Sequence, residues 1–157
     1  MSDDWGSRKV EELKQQVEDR VRKERLEYDR SEALRLNGPV ICENLLAEMK
    51  KAVDSYETAR STDPVGLSEM PELLFHWIRQ PHAARLVAPQ AILEVGYDSQ
   101  GITYKLSRAA ATPQDSPSHD SKALPFLVEG DHMWLKAKDG SKLSVPVAAA
   151  KLLDLLF

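Results

Sequence analysis

Half of the histidines of this chain lie within the stretch FHWIRQPHAARL at residues 75–86, together with a tryptophan and two arginines. Such residues close together could form a metal ligand pair, an anion clamp or a nucleic-acid contact. A proline separates His76 from His82, and the alternation of a strand would direct His76 and Trp77 to opposite faces. The stretch therefore predicts an edge strand over 73–80, with Trp77 packing, and a helix over the same residues is the alternative.

Other residues that could do chemistry are scattered along the chain. A metal site needs three or four ligands at a spacing that one or two elements can present. No HxH, HxxxH or CxxC pattern occurs, so a site could be assembled only by the fold, from His76, His82, His132 and Asp131. Ser, His and Asp are adjacent in SPSHDS at 116–121, whereas a catalytic triad draws its members from separate rigid elements. We therefore predict no metal, no other cofactor and no catalytic residue.

Composition and charge narrow the class of protein. The 157 residues are 42% hydrophobic and 29% charged, as is typical of a globular domain, and the formal net charge is −4. Without a basic excess, nucleic-acid binding is not expected, because Lys and Arg make the phosphate contacts. No apolar leader or bilayer-length run occurs, so we expect a cytoplasmic protein with no membrane partner. The single cysteine, Cys42, is expected to be a buried, inert thiol.

Residues 8–36 contain neither Gly nor Pro and consist mainly of good helix formers, so they predict a long helix. Its apolar side chains form one narrow stripe, at Val10, Leu13, Val17, Val21 and Tyr28. A narrow stripe is typical of a coiled-coil seam, and a solvated helix of mixed charge is the alternative. At about 1.5 Å per residue this helix would be about 43 Å long, more than a compact domain of this size requires.

The tripeptide Asn37-Gly38-Pro39 combines helix-ending residues with a proline suited to a first turn. It predicts a helical hairpin or a sharp bend, followed by a second helix from Val40 to about Arg60 with a broader apolar face. Residues 1–60 are thus expected to form a helical hairpin or a coiled-coil-like arm. Residues 61–157 are expected to form an antiparallel sheet with a C-terminal helix, within one domain overall.

From residue 91 the apolar period changes from near 3.6 to near 2, which indicates strands. AILEVGYDSQGITYKL predicts a hairpin in which Gly101 is free to take a positive φ, and LPFLVEG with HMWLKAKDG predicts a second hairpin. Between them, 110–122 is predicted to be a mobile loop. The last residues predict a short helix capped by Ser144. The fold class is therefore α+β: a long N-terminal helical hairpin, an antiparallel meander of four to five strands, and a short C-terminal helix packed on the sheet.

Trp134 is a large aromatic residue on the predicted polar face of the sheet, beside His132 and Lys136. An apolar ring at such a position needs a cover. The first helix, a second copy of the chain or another protein could supply that cover.

These features favour a small, non-catalytic, bacterial-type protein that binds protein, either itself as a homodimer or an unidentified client. The predicted interaction surface consists of Val10, Leu13, Val17, Val21, Tyr28 and Trp134. One alternative is a small-ligand-binding α+β domain with a cavity lined by the hydroxyls of Tyr97 and Tyr104. Another is an acidic, chaperone-like protein that holds an extended client segment along a sheet edge or an apolar groove.

Overall fold

The first two fifths of the chain form one continuous helix, α1 (Ser2–Thr62), about 92 Å long at about 1.5 Å per residue. The computed structural model describes residues 2–65, 69–109, 118–129 and 132–157. The predicted helical hairpin is wrong, because α1 passes through Asn37, Gly38 and Pro39 without a turn.

The burial beyond Pro39 explains why the helix continues. Pro39 has no N–H, so the carbonyl of Arg35 loses its helical partner, at a cost of about 3 kcal/mol. The following turns bury Cys42, Leu45, Leu46, Met49 and Val53 almost completely. At about 1.5–3 kcal/mol for each large side chain, this burial outweighs the proline. Gly38 is buried as well, and a Cβ there would lie 3.2 Å from Cε2 of Phe126, so Gly38 permits close packing rather than ending the helix.

The sheet is an antiparallel meander in which each strand pairs with the next strand along the chain. Its strands within the described residues are β1 (Leu74–Arg79), β2 (Ala83–Ala88), β3 (Ala91–Tyr97), β4 (Gly101–Arg108), β5 (Ser118–Glu129), β6 (His132–Lys136) and β7 (Lys142–Leu143). The segment 73–80 therefore contains an edge strand, and its helical alternative is wrong. The expected count of four to five strands is also wrong, because β2 and β7 were not predicted.

The predicted alternation of the two central strands is confirmed. The side chains of β3 and β4 on the α1 side are paired Leu93 with Leu106, Val95 with Tyr104 and Tyr97 with Ile102. The expectation for Gly101 is wrong, since the one positive φ in the described part of the chain is at Gly140. Gly101 is required for a different reason: a Cβ there would overlap the backbone carbonyl oxygen of Leu124 on β5.

The C-terminal helix α2 (Val145–Asp154) packs beside α1 on the same side of the sheet. The side chain of Ser144 caps it as predicted, accepting a hydrogen bond from the N–H of Val147 at 3.4 Å. Its buried side chains, together with Leu156, join the core under α1. Of the predicted mobile loop 110–122, the first eight residues lie outside the described residues, and β5 begins at Ser118.

Hydrogen bonds to the end of α1 fix the connection that leads into β1. The hydroxyl of Tyr56 donates to the carbonyl of Pro71 at 2.6 Å, and the N–H of Leu73 donates to Oε1 of Glu57 at 2.6 Å. Oε2 of Glu57 accepts from Arg60 at 2.8 Å. The hydrogen bond from Arg60 is the main cause that lowers the pKa of Glu57, and the N–H of Leu73 lowers it further.

Replacing Glu57 by glutamine should lower the thermal unfolding midpoint at pH 7, because the amide accepts weaker hydrogen bonds from Arg60 and Leu73. The folded-state pKa of Glu57 lies below its ordinary value of 4.5, so the carboxylate stabilises the fold above about pH 4.5. That contribution is lost as the pH falls through the folded-state pKa. The midpoints of wild type and variant should therefore converge at an acidic pH below the folded-state pKa. Glu43→Gln, at an exposed position of the same helix, should leave the midpoint unchanged at both pH values.

Candidate functional site

The first half of α1 extends away from the rest of the molecule. We call residues 4–31 the arm. Every side chain from Val10 to Ser31 is exposed, whereas the second half of the helix packs on the sheet. The ion pairs of the arm are local, such as Lys9 with Glu12 at 3.5 Å and Arg22 with Asp19 at 3.6 Å. Pairs this exposed contribute at most a few tenths of a kcal/mol each, so they do not replace a packing partner.

Five of the six residues predicted as an interaction surface lie together along the arm. We call Val10, Leu13, Val17, Val21 and Tyr28 the stripe. Their exposed fractions run from 48% at Leu13 to 65% at Val10 and Tyr28. Such a row of large apolar side chains in water is unfavourable by about 25 cal/mol for each Å² left uncovered.

The stripe continues the buried face of α1. Val10 and Leu46 are separated by about ten whole turns at about 3.6 residues per turn, and so are Leu13 and Met49. Val17 is related in the same way to Val53. The first residue of each pair is exposed and the second is buried against the sheet. The arm therefore repeats the pattern of a core-forming helix on the same side of α1, but without a sheet beneath it.

Trp134, the sixth predicted residue, lies elsewhere. Its neighbour Leu135 is buried in the core, and Phe126, which pairs with Leu135, contacts α1 at Gly38. By alternation, Trp134 lies on the opposite face of the sheet, so α1 is not the cover suggested for it. The ring is 38% exposed, and the Nζ atom of Lys142 lies 5.4 Å from its centroid. Trp134 is thus separated from the stripe by the thickness of the sheet.

The histidines do not converge. His76 pairs with Arg85 on the face of the sheet away from α1, whereas the ring of His82 packs 5.4 Å from that of Tyr97 on the α1 side. Within residues 2–65, 69–109, 118–129 and 132–157, no group of three or more His, Cys, Asp or Glu residues could hold a metal ion. Asp131 lies outside the described residues. In the segment 116–121, the Nδ1 atom of His119 is hydrogen-bonded to the exposed Ser107 hydroxyl at 3.0 Å.

The two tyrosines proposed to line a ligand cavity border different crevices. Tyr97 lines one of about 680 Å³ at the base of the arm, between α1 and the ends of two hairpins. Tyr104 lines another of about 400 Å³ between β4, β5 and α2. A single cup formed by both hydroxyls is therefore not present in the described residues. Arg35 and Arg79 also line the crevice at the base of the arm, and nothing in their sequence positions indicates that they meet there.

The single cysteine is part of the core. Cys42 is fully buried and its Sγ atom donates a hydrogen bond to the carbonyl of His82 at 3.4 Å. Burial raises the pKa of Cys42 to about 12, so the thiolate population near neutral pH is negligible. The arrangement suits a packing residue and not a nucleophile.

No family model, curated protein or solved structure matches this chain. The long helix is too rich in charged side chains to cross a membrane, and no other helix in the described part of the chain is long and apolar enough to do so. The function of the protein is therefore inferred from the geometry of the arm and its surroundings.

Proposed function

We propose that this protein is a self-association module in which the arms of two copies pair along the stripe. The observation that supports this function is the phase of the stripe. Val10, Leu13 and Val17 lie on the side of α1 that is buried against the sheet about ten turns later. A helix whose apolar face continues in phase beyond its own sheet is suited to a second packing partner.

The energetics of an isolated helix support the same function. Most helical stability in proteins comes from packing an amphipathic face rather than from intrinsic propensity. Among the described residues, every side chain from Val10 to Ser31 is exposed, so this part of the arm has no such packing there. Pairing two arms would cover the stripe, which is about 27 Å long, and bury ten large apolar side chains, five from each copy. The narrow width of the stripe favours two helices over a larger bundle.

Size-exclusion chromatography with multi-angle light scattering of the full chain tests this function. The expected mass is twice 17.6 kDa at micromolar concentrations, falling toward 17.6 kDa on dilution. A mass of 17.6 kDa at every concentration up to about a millimolar, where even weak dimers form, would contradict self-association. Circular dichroism on the same samples should show the helical signal rising with the dimer fraction, because the arm gains its packing partner on association.

A further inference from the structure

The charged residues beside the stripe distinguish between the two ways of pairing identical arms. In a parallel, in-register pair, Glu24, which interrupts the stripe between Val21 and Tyr28, would face Glu24 of the second copy. In such a pair, a residue on one flank of the stripe also meets the residue five positions later on the second copy. Lys9 would then lie close to Lys14 of the second copy, and Arg20 close to its Arg25. All of these contacts are between like charges. Repulsion at buried or partly buried positions is a strong determinant against an orientation.

Reversing one arm gives opposite charges instead. When Val17 faces Val21 of the second copy, Val10 faces Tyr28 and Leu13 faces Arg25, so four of the five stripe residues meet apolar partners. The same register places Glu24 opposite Lys14 of the second copy. Two-fold symmetry doubles each of these contacts, as it does in any isologous pair. Antiparallel pairing therefore brings opposite charges together and matches four of the five apolar positions of the stripe.

This register also accounts for the crevice at the base of the arm. Trp5 is 66% exposed, and in the antiparallel register it lies opposite Ala33 of the second copy, one residue from Leu34. Leu34 lines the crevice of about 680 Å³ with Arg35, Arg79, His82 and Tyr97. The sheet begins at this point, so the N-terminus of an antiparallel arm would end against it.

The chemistry of the crevice matches the residues that would reach it. Its aromatic and aliphatic side chains, Tyr97 and Leu34, suit the indole of Trp5. Arg35 is already paired with Glu32 at 2.9 Å, so Arg79 is the arginine of the crevice that suits the carboxylate of Asp4. Asp98 also lines the crevice, but its Oδ1 atom accepts hydrogen bonds from the N–H groups of Gln100 and Gly101 at 2.7 and 3.1 Å. The carboxylate of Asp98 is thus hydrogen-bonded within its own turn.

We infer that the arms pair antiparallel and that Asp4 and Trp5 of each copy dock in the crevice at the base of the arm of the other copy. This inference rests on the self-association proposed above and specifies its orientation and its ends. Each copy then contributes a helix terminus to a pocket that the other copy builds from its helix and its sheet.

Cysteine cross-linking tests the orientation in the full chain. The native Cys42 thiol, buried and with its pKa raised to about 12, stays unreactive under mild oxidation near pH 7. In an antiparallel pair, Val10→Cys alone should not form a disulfide dimer, because the two sulfurs would be about 27 Å apart. A mixture of Val10→Cys and Tyr28→Cys, one carrying a mass tag, should form the mixed disulfide. Efficient cross-linking of Val10→Cys alone would overturn the orientation while leaving self-association intact.

A charge exchange tests the register independently. Lys14→Glu and Glu24→Lys should each raise the dimer dissociation constant roughly fivefold, since each places like charges in contact twice. The double variant should return to within about twofold of wild type, because the pair is restored with its signs reversed. In a parallel pair the double variant restores nothing, since positions 24 still face each other, and that result would overturn the proposal.

Removing the indole tests the docking in the crevice. Trp5→Ala should raise the dissociation constant at least tenfold, as expected for an aromatic anchor, with the mass of the saturated dimer unchanged. Leu26→Ala removes a similarly exposed side chain from the side of the arm opposite to the stripe and should change the constant less than twofold. An unchanged constant for Trp5→Ala would overturn the docking. A chain that is monomeric at all concentrations would overturn both proposals.

Discussion

Replacing Val17 and Val21 together by aspartate should convert the dimer into a folded monomer of 17.6 kDa. The two valines occupy the centre of the stripe, where each is about half exposed in the single chain. Covering the remaining half of four valines per dimer is worth about 3 kcal/mol, or roughly two orders of magnitude in the dissociation constant. Four carboxylates at the same place add repulsion, so the loss should be larger still.

The fold of the single chain should survive this change. Neither valine contacts the sheet, and their exposed positions belong to no core cluster. Near-ultraviolet circular dichroism and the thermal midpoint of the monomer should therefore remain those of the sheet domain. Leu26→Asp is the matched control, because Leu26 is 64% exposed on the other side of the arm. A double variant that is still dimeric by light scattering would exclude the stripe as the association surface.

Replacing Gly101 by alanine should destabilise the fold by about 2–3 kcal/mol or prevent folding. The new Cβ would overlap the carbonyl oxygen of Leu124 and lie 2.8 Å from the Cα of Pro125, both in the backbone of the neighbouring strand. A backbone cannot rotate away as a side chain can, so β4 and β5 would have to separate at this point. Urea denaturation measures the effect as a lower midpoint.

Gly96 provides the comparison within the same hairpin. A Cβ at Gly96 would meet the Oγ1 atom of Thr103 at 3.7 Å, an ordinary contact distance. Gly96→Ala should therefore be tolerated, with a change in stability below about 0.5 kcal/mol. Equal losses for the two variants would show that glycine in this hairpin is needed for its backbone freedom and not for the approach of β5.

The sequence predicts the elements whose periodicity is long and regular. The stripe and the alternation of β3 and β4 are readable because each repeats over several turns or residues. β2 could not be predicted from the sequence in the same way. Its six residues AARLVA include Ala84, whose burial depends on pairing with Trp77 and Val95 on either side. β7 has two residues and is defined only by its pairing with β6.

Local signals were wrong where tertiary contacts outweigh them. Gly38 and Pro39 indicate a helix end, but burial of the following turns against the sheet outweighs their cost in helix stability. Gly38 serves instead to let the ring of Phe126 approach the helix closely. The crevice could not be predicted at all. Arg35 on α1 and Arg79 on β1 meet there only because α1 crosses the end of the sheet where the hairpin turns lie.

The meander also determines the order in which the chain acquires its structure. Each strand pairs with its immediate successor, so the sheet can grow by short loop closures that cost little entropy. The contacts of Leu45 and Leu46 with the sheet join positions far apart in sequence, so their loop closure costs more. The helix precedes the strands in this chain, so its buried face has no cover until the sheet beneath it has formed. Once the second half of α1 has packed on the sheet, the stripe of the arm is the part of its apolar face that is still exposed to water.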